Sequence, residues 1–396
     1  MKKLSLADWE KEYITGFVDR FDQKYTMGRR HQWDPALKER MKDLPAMADV
    51  SDDPGWTLMD WAMRVAGRSI VPKLELMNLS KPNQSDTVST RNAFDSVDRR
   101  LKPPNGSNLN ISDSEKMTSY VKKAATYFGA DTVGVCRLDN RWIYSHTYDM
   151  KEGADGHKPQ QIPEEYQYAV VLGFGGGYNL RRYFPTYINT WTSNAYRQIM
   201  TNALLSAFIR CLGFKVIDCT FDDVALAIPL AMQAGLGQLG RHSMLITPRF
   251  GSSIRLGQIF TDMPLVPDSP IDFGVTEFCN VCKKCADMCP SHSITRAGRT
   301  TEPITISNVA GELKWQFNPE TCHINLYGYK KPCQICISVC PFTKPHTRFH
   351  HVVRWFVDKA RWADPFYLKM DRVFGYGKSK KADDFWDEWQ PEEYQQ

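Results

Sequence analysis

Two segments in the C-terminal third of the chain carry the side chains best suited to chemistry. Eight of the eleven cysteines fall within them. The first segment has the spacing C-x2-C-x2-C-x3-C-P, and the second ends in C-x2-C-x3-C-P after one isolated cysteine. Thiolates at this spacing bind iron–sulfur clusters, so the chemistry expected here is the transfer of single electrons. The eight residues are Cys279, Cys282, Cys285 and Cys289 in the first segment and Cys322, Cys333, Cys336 and Cys340 in the second.

The first spacing is that of a bacterial ferredoxin, in which three close thiolates bind one 4Fe–4S cluster and the fourth binds the other cluster. Cys322 departs from the regular second repeat, because ten residues separate it from Cys333. Zinc would favour separate four-cysteine sets, and disulfide bonds would not require two runs of this spacing. The pattern predicts two clusters, one bound by Cys279, Cys282, Cys285 and Cys340 and the other by Cys289, Cys322, Cys333 and Cys336.

Composition narrows the class of protein that positions these cysteines. The chain has 396 residues, 42% of them hydrophobic and 24% charged, which is typical of a globular protein of two or three domains. The net charge of +5 comes without a dense basic block, so nucleic acid is not a predicted partner. The remaining cysteines, Cys136, Cys211 and Cys219, are predicted to be buried thiols.

The sequence shows no pattern typical of a membrane span or a signal peptide. No apolar run approaches the ~18 residues of a membrane span. The first ten residues lack the apolar stretch of a signal peptide, and the twin arginines Arg29 and Arg30 are not followed by one. The sequence is therefore compatible with a cytoplasmic protein or with a mature form whose signal was removed.

Strands and helices alternate in the middle of the chain, which predicts an α/β core. Predicted strands lie at 131–137, 168–174, 215–219, 244–247 and 257–261, and predicted helices lie at 57–65, from Ser114 onward, at 193–212 and at 225–234. The predicted divisions are an N-terminal extension at 1–112, the core at 113–275, a ferredoxin-like module at 276–345 and a wrapping C-terminal segment at 346–396.

A glycine-rich stretch, 234–241, precedes the first cysteine segment. Glycines at this spacing let backbone approach a ligand closely. The order G-x-G-x-x-G occurs here, but the preceding residues predict a helix, whereas a dinucleotide site requires a strand.

Several of these segments together resemble the corrinoid-dependent reductive dehalogenases. The resemblance covers roughly residues 115 to 390, and it is carried by the stretches 234–251, 254–265, 273–290, 374–378 and 385–389. It implies a nitroreductase-like core that holds a base-off corrinoid, with the two-cluster module beside it. The corrinoid signature D-x-H-x-x-G is absent, as it is expected to be in this family.

The resemblance also implies a set of active-site residues. Tyr196 falls at the position of the family's proton donor, and Arg255 at that of the basic residue beside it. Asp222 or Asp223 occupies the polar position, where the family commonly has asparagine. Tyr183 and Tyr187 are alternative donors that lie nearby in the chain. Corrinoid contacts are expected from Gly235, Gly237, Gly240 and Ser243.

The function implied is reductive removal of halide from a small organohalide, with electrons passing from the clusters to the corrinoid. The expected partners are a membrane redox chain and a small membrane anchor protein. The expected location is the outer face of the cytoplasmic membrane. A homodimer is a further expectation. One alternative is a cytoplasmic epoxyqueuosine reductase, which has a similar core and acts on tRNA. Another is a ferredoxin-class electron carrier, which would leave the α/β core unexplained.

Overall fold

The computed structural model describes residues 1–44, 50–68, 103, 108–149, 156–183, 194–219, 224–328, 333–345 and 347–389. Within these ranges the α-helices are α1 (Leu6–Tyr13), α2 (Met27–Trp33), α3 (Pro35–Met41), α4 (Leu58–Arg68), α5 (Ser114–Tyr127), α6 (Ala195–Cys211), α7 (Ala227–Gln233), α8 (Val275–Cys282), α9 (Lys284–Asp287), α10 (Pro319–Gly328), α11 (Ile335–Ser338), α12 (Arg348–Lys359), α13 (Asp364–Val373) and α14 (Asp384–Glu388). The strands are β1 (Lys2–Lys3), β2 (Thr132–Arg137), β3 (His146–Tyr148), β4 (His157–Pro159), β5 (Tyr168–Gly175), β6 (Val216–Cys219), β7 (Gln238–Leu239), β8 (Leu245–Ile246), β9 (Ile254–Thr261) and β10 (Ile271–Asp272).

A four-stranded sheet in the order β2-β5-β9-β6 forms the centre of the core. All three pairings are antiparallel, and β5 pairs with β9 from Tyr168 opposite Thr261 to Gly175 opposite Ile254. The central strand β5 has a continuous apolar sequence because both of its faces are covered. Ala169 and Val171 join the core on one face, and Val170, Leu172 and Phe174 join the core on the other.

Helices cover the two faces of this sheet. Apolar side chains of α5 and α6 pack on one face, as Val121 and Leu205 show. Helix α7 and the N-terminal helix α1 cover the other face, where Leu230 and Trp9 are buried. The N-terminal residues therefore belong to the hydrophobic core, and β1 extends this contact by pairing with β10.

The predicted elements of the core are largely confirmed. Strands β2, β5 and β6 and helices α4, α6 and α7 lie within two or three residues of the predicted bounds. Strand β9 begins at Ile254, three residues before the prediction. Helix α5 begins at Ser114 as predicted, and it is capped by Asp113, whose carboxylate accepts the Lys116 N–H. The prediction of three buried thiols is wrong for Cys211, which lies exposed at the end of α6.

Left-handed residues shape the first cysteine segment. Gly274, at φ 87°, precedes α8, and Lys283, at φ 50°, separates α8 from α9. The break at Lys283 turns the chain between Cys282 and Cys285, so that both thiols can face one point. Phe278, Trp315 and Phe342 pack around this turn in one apolar cluster.

The C-terminal segment connects the cysteine segments to the core and to the N-terminal region. The Lys380 N–H donates to the Arg182 carbonyl, and the Gly377 N–H donates to the Tyr178 hydroxyl. The Trp386 indole N–H donates to Asp60 at 3.2 Å. Within the described part of the chain, none of the helices has both the length and the apolarity that crossing a membrane requires.

Candidate metal centres and active site

Four cysteines meet in one enclosed cavity, and we call them the inner set: Cys279, Cys282, Cys285 and Cys340. All four are buried, and the charge on each thiolate would be felt by others of the set. Burial raises the pKa of Cys282 to about 12, so an uncompensated thiolate is unfavourable there. Iron, which binds thiolates, supplies the compensating positive charge.

The other four cysteines form the outer set: Cys289, Cys322, Cys333 and Cys336. Electrostatic interactions join Cys322 and Cys336 to Cys333 and Cys289. Only Cys289 is buried, and the other three are partly exposed. Burial raises the pKa of the Cys289 thiol, but hydrogen bonds from the Ser291 hydroxyl and the Ser293 N–H outweigh this effect and lower it.

Arg241 holds the inner segment in place from the core side. Its guanidinium donates to the carbonyl oxygens of Cys279, Thr295 and Ala297 at 2.9–3.0 Å. The same group lies 4.9 Å above the ring of Trp315. Arg241 therefore ties both ends of the loop that carries the first four cysteines, and sequence reasoning missed this role, although Arg241 directly follows the glycine-rich stretch.

Tyr196 lies in the first turn of α6, after Asn194 in the left-handed conformation. The Asn194 side-chain amide donates to the Gly175 carbonyl at 2.7 Å, which anchors the start of α6 to the end of β5. Tyr196 is 52% exposed, and Met200 and Leu204, one and two turns further, are also exposed. These three side chains form an exposed stripe along one side of α6.

Arg255 lies on β9, opposite Phe174 on β5. Its guanidinium donates to the side-chain oxygen of Gln198, a buried residue of α6 two positions after Tyr196. Gln198 in turn donates to the Leu256 carbonyl at 2.6 Å. Arg255 therefore contacts the buried side of α6, whereas Tyr196 lies on its exposed side, and their pairing stays a prediction. Sequence reasoning missed Gln198 because a polar residue in a helix gives no distinctive signal.

The loop before β9 connects this contact to the inner set. The hydroxyls of Ser252 and Thr343 lie 3.1 Å apart, and the Ser252 hydroxyl also forms a hydrogen bond with the Cys340 thiol. A Cβ on Gly251 would lie 2.4 Å from the Phe342 carbonyl, so glycine is required for this close approach. Only two residues separate Ser252 from Arg255, and the core and the cysteine segments are therefore in direct contact here.

The glycines predicted to contact a corrinoid face the protein's own atoms. Cβ atoms at Gly235 and Gly237 would lie 2.5 Å and 2.1 Å from the carbonyls of Ser269 and Ile246. Internal packing thus accounts for these glycines, and their contact with a corrinoid stays a prediction. The same holds for Gly240, which packs on Ile246, and for Ser243, which donates to the Trp315 carbonyl.

Three predicted or alternative residues cannot be placed. Asp222, Asp223 and Tyr187 lie outside the described residues. Tyr183 is described, and it is fully buried against Phe385. A buried tyrosine there is a poorer candidate for a proton donor than the exposed Tyr196.

Comparisons with known proteins agree with this arrangement. Residues 278–343 match the family model of a 4Fe-4S double cluster binding domain. The chain is 33% identical to the tetrachloroethene reductive dehalogenase of Sulfurospirillum multivorans over 96% of this chain and 78% of that protein. The chain belongs to the reductive dehalogenase family. Members of this family combine a corrinoid with iron–sulfur clusters.

The chain is also similar to a second reductive dehalogenase and to a member of another enzyme class. The tetrachloroethene reductive dehalogenase of Dehalobacter restrictus is 28% identical over 84% of this chain and 70% of that protein. An epoxyqueuosine reductase of Cyclobacterium marinum is 25% identical over 69% of this chain and 94% of that protein.

Solved structures confirm the fold of the reductive dehalogenase family. A catabolic reductive dehalogenase in complex with 3-bromo-4-hydroxybenzoic acid matches with a TM-score of 0.68 at 20% identity. A second reductive dehalogenase structure matches with a TM-score of 0.69 at 22% identity. Each match covers 95% of this chain, but the chain spans only about half the length of those proteins.

The described residues fit the family's cofactors unequally. The donor chemistry of the inner and outer sets, eight thiols in two groups, fits two 4Fe–4S clusters. For the corrinoid, the exposed stripe of Tyr196, Met200 and Leu204 on α6 would offer apolar surface and one hydroxyl. Helix α4 contacts α6.

Proposed function

We propose that this chain is a corrinoid-dependent reductive dehalogenase that replaces a halogen on a small organohalide by hydrogen. Two electrons and one proton enter for each halide ion that leaves. The observation that carries this proposal is the contact between the inner set and the strand of Arg255, made by Ser252 and Thr343. It connects an electron-transfer module to the strand that packs against α6, the helix that carries the expected proton donor.

The eight cysteines take the role of cluster ligands in this proposal. The inner set binds one 4Fe–4S cluster and the outer set the other. When bound, the clusters supply single electrons, and the corrinoid supplies a strongly reducing cobalt centre that breaks the carbon–halogen bond. The outer set is the more exposed, so electrons enter there.

Tyr196 supplies the proton to carbon in this proposal. Its exposed position at the start of α6 leaves the hydroxyl accessible to a substrate. Arg255 remains charged under all conditions, so it cannot compete as the donor, and it stabilises the phenolate that remains. Gln198 positions this guanidinium. Asp222 or Asp223 would provide the polar wall of the pocket.

A large apolar surface supports attachment to a membrane partner. A cavity of about 300 Å³ between α12 and α13 is lined mainly by aromatic and aliphatic side chains. Trp355 on α12, Phe366 on α13 and Trp362 in the turn between them are exposed. We propose that a small membrane anchor protein docks here, on the outer face of the cytoplasmic membrane, close to its electron donor. Trp355→Ser should then reduce co-sedimentation with cell membranes, whereas Trp386→Ser on α14 should not.

Anaerobic purification with a visible spectrum and a chloride-release assay tests the proposed activity. Chlorinated ethenes are the first substrates to examine, since relatives carry tetrachloroethene in their names. Tyr196→Phe should reduce chloride release about 100-fold or more, the usual contribution of a general acid, with clusters and corrinoid retained. Tyr127→Phe, at an exposed position of α5, should have no effect.

Two results would reject the proposal. Full activity of Tyr196→Phe would remove the proton donor. Reduction of epoxyqueuosine in tRNA without any halide release would favour the alternative, which the 25% identity to an epoxyqueuosine reductase keeps in view.

A further inference from the structure

The imidazole of His242 lies in the wall of the cavity that the inner set encloses. His242 is 3% exposed, and it lines the cavity together with Phe278, Phe342 and the four thiols. Its neighbour Arg241 directs its guanidinium to backbone carbonyls. His242 therefore has a separate role.

Hydrogen bonding determines which ring nitrogen carries the proton. The Met244 N–H donates to His242 Nδ1 at 3.2 Å, so Nδ1 must be the unprotonated nitrogen. In the neutral ring the proton then resides on Nε2. Within the described ranges Nε2 is buried and has no hydrogen-bond partner.

A buried N–H without an acceptor costs about 1–3 kcal/mol, so its persistence in this position calls for an acceptor. Nδ1 is occupied by the Met244 N–H and the ring lines the cavity, so Nε2 is the ring nitrogen that is left to donate there. The atoms that would fill this cavity, sulfide and thiolate sulfur, are hydrogen-bond acceptors.

We propose that His242 Nε2 donates a hydrogen bond to a sulfur of the cluster bound by the inner set and thereby raises its reduction potential. The reduced cluster carries one more negative charge than the oxidised cluster, so a donor stabilises the reduced form more. This inference rests on the proposed function, since it requires a cluster at the inner set.

An anaerobic redox titration followed by electron paramagnetic resonance tests the proposal. His242→Phe keeps the ring shape and removes the donor, whereas His242→Gln keeps an N–H. At a fixed solution potential, His242→Phe should lower the ratio of reduced to oxidised inner cluster about five- to tenfold, the equivalent of one hydrogen bond. His242→Gln should remain near the wild type, and the outer cluster should be unchanged in both variants.

The outcomes separate this inference from the proposed function. Wild-type protein without two clusters would contradict the proposed function itself. If both clusters are present and the inner cluster has the same potential in the wild type and in His242→Phe, only the role of His242 is overturned. If His242→Phe does not fold, wild-type protein labelled with ¹⁵N-histidine gives a second readout, and absence of ¹⁵N coupling to the reduced inner cluster would overturn the proposal.

A second group of side chains, outside the cysteine segments, has the donor set of a divalent metal site. Single donor atoms of Asp22, His146 and His157 all lie within 4.8 Å of one another. The histidines come from the paired strands β3 and β4, and their ring centroids are 4.7 Å apart. Asp22 Oδ2 lies 2.8 Å from His157 Nε2 and 3.9 Å from His146 Nδ1.

The backbone fixes this group before any metal binds. Asp22 Oδ1 accepts the Lys24 N–H at 2.9 Å, which orients the carboxylate. The Ser145 N–H donates to the Phe21 carbonyl, which fastens the hairpin of β3 and β4 to the N-terminal segment. We infer that these three residues bind a divalent cation of the zinc class, because imidazole nitrogens with one carboxylate suit Zn²⁺ and leave a position open to solvent.

Titration of Zn²⁺ into protein with both clusters assembled tests this site. Wild type and Asp19→Asn should bind one ion at this site, and Zn²⁺ should raise their Tm. Asp22→Asn, which retains an acceptor for the Lys24 N–H, should lose both effects, as should His146→Gln at its partly exposed position. Equal binding by the wild type and both site variants, or no binding at all, would overturn the inference.

Discussion

The inner and outer cysteine sets have the same ligand chemistry in different surroundings. Three cysteines of the inner set, Cys279, Cys282 and Cys340, lie in one apolar cluster with Ile246 of the core and with Val357 and Leu368 of the C-terminal helices, and Cys285 packs beside Cys289 in a second cluster. The outer set is more exposed, and its helix α10 is held by the N-terminal helices, where Arg30 and Arg40 pair with Glu320. Spacing in the sequence thus predicts the ligands, whereas contacts with distant segments determine which cluster is buried and in contact with the α/β core.

Removal of one ligand from each set is the most severe test of this difference. Cys282→Ala and Cys333→Ala should each lose about four of about eight iron atoms. The Cys282 variant should also lose thermal stability, since this thiol belongs to the buried cluster that joins module, core and C-terminal helices. The Cys333 variant should remain folded with one intact cluster.

Iron and sulfide analysis with thermal unfolding measures both effects. Cys211→Ala, at the exposed end of α6, is the matched control and should retain all of its iron. Equal thermal stability of the Cys282 and Cys333 variants would contradict the distinction between an inner and an outer set.

A buried ion triad fastens the C-terminal segment to the inner set. The carboxylate of Asp371 on α13 lies 2.5 Å from Lys284 Nζ and 2.6 Å from Lys344 Nζ, and all three side chains are nearly inaccessible. Asp371→Asn leaves two buried cations without their anion, which should lower the free energy of unfolding by about 3–5 kcal/mol. Anaerobic denaturant titration measures this loss.

The matched control is Asp287→Asn, which removes a more exposed ion pair with Arg296 on the same cysteine segment. Exposed pairs contribute about 1 kcal/mol or less, so this variant should unfold nearly as the wild type does. If both variants lose a similar free energy of unfolding, the buried triad contributes no more than an exposed ion pair does.

The stability of the C-terminal helices beside the inner set should depend on pH through Asp364 on α13. Burial raises the pKa of Asp364 to about 6, against the opposing effect of Arg361 and with a smaller contribution from Glu277 on α8. Because the folded state favours the neutral carboxyl, the stability contributed by Asp364 is present below pH ~4 and is lost as pH rises through 6. Its Oδ1 has no hydrogen-bond partner among the described residues.

Asp364→Asn removes the charge, so above pH 6 its free energy of unfolding should exceed that of the wild type by about 2 kcal/mol, which is the value for a shift of about two pKa units reduced for solvent screening. The two curves should converge toward pH 4. Asp387→Asn, at an exposed position of α14, should leave the pH dependence unchanged, and a parallel pH profile for wild type and Asp364→Asn would contradict the assignment.

How much the sequence could predict depends on whether the signal is local. Cysteine spacing and the apolar run of β5 are local, so the two clusters and the core strands were predictable. The antiparallel order of the sheet was not, because β5 pairs with β9 across about 90 positions, and such pairings leave no spacing signal.

Contacts between distant parts of the chain also leave no signal in the sequence. Lys284 and Asp371 are 87 positions apart, and nothing in either segment indicates that they meet. The corrinoid contacts of Gly235 and Gly237 stay a prediction, because a sequence does not reveal which atoms lie beside a glycine. The structure shows backbone carbonyls there.

The smallest predicted effect comes from single hydroxyls that reach the thiols of the two sets. Ser252 forms a hydrogen bond with Cys340 of the inner set, and the Ser291 hydroxyl lies 3.4 Å from Cys289 Sγ of the outer set. Loss of a donor to a cluster thiolate removes about 1 kcal/mol of preference for the reduced state, or roughly 40 mV for one electron. Ser252→Ala should therefore lower only the inner potential and Ser291→Ala only the outer potential, so each variant is the control for the other in the same redox titration. If either substitution shifts both potentials equally, the two sets are not electrostatically separate, and the comparison between them fails.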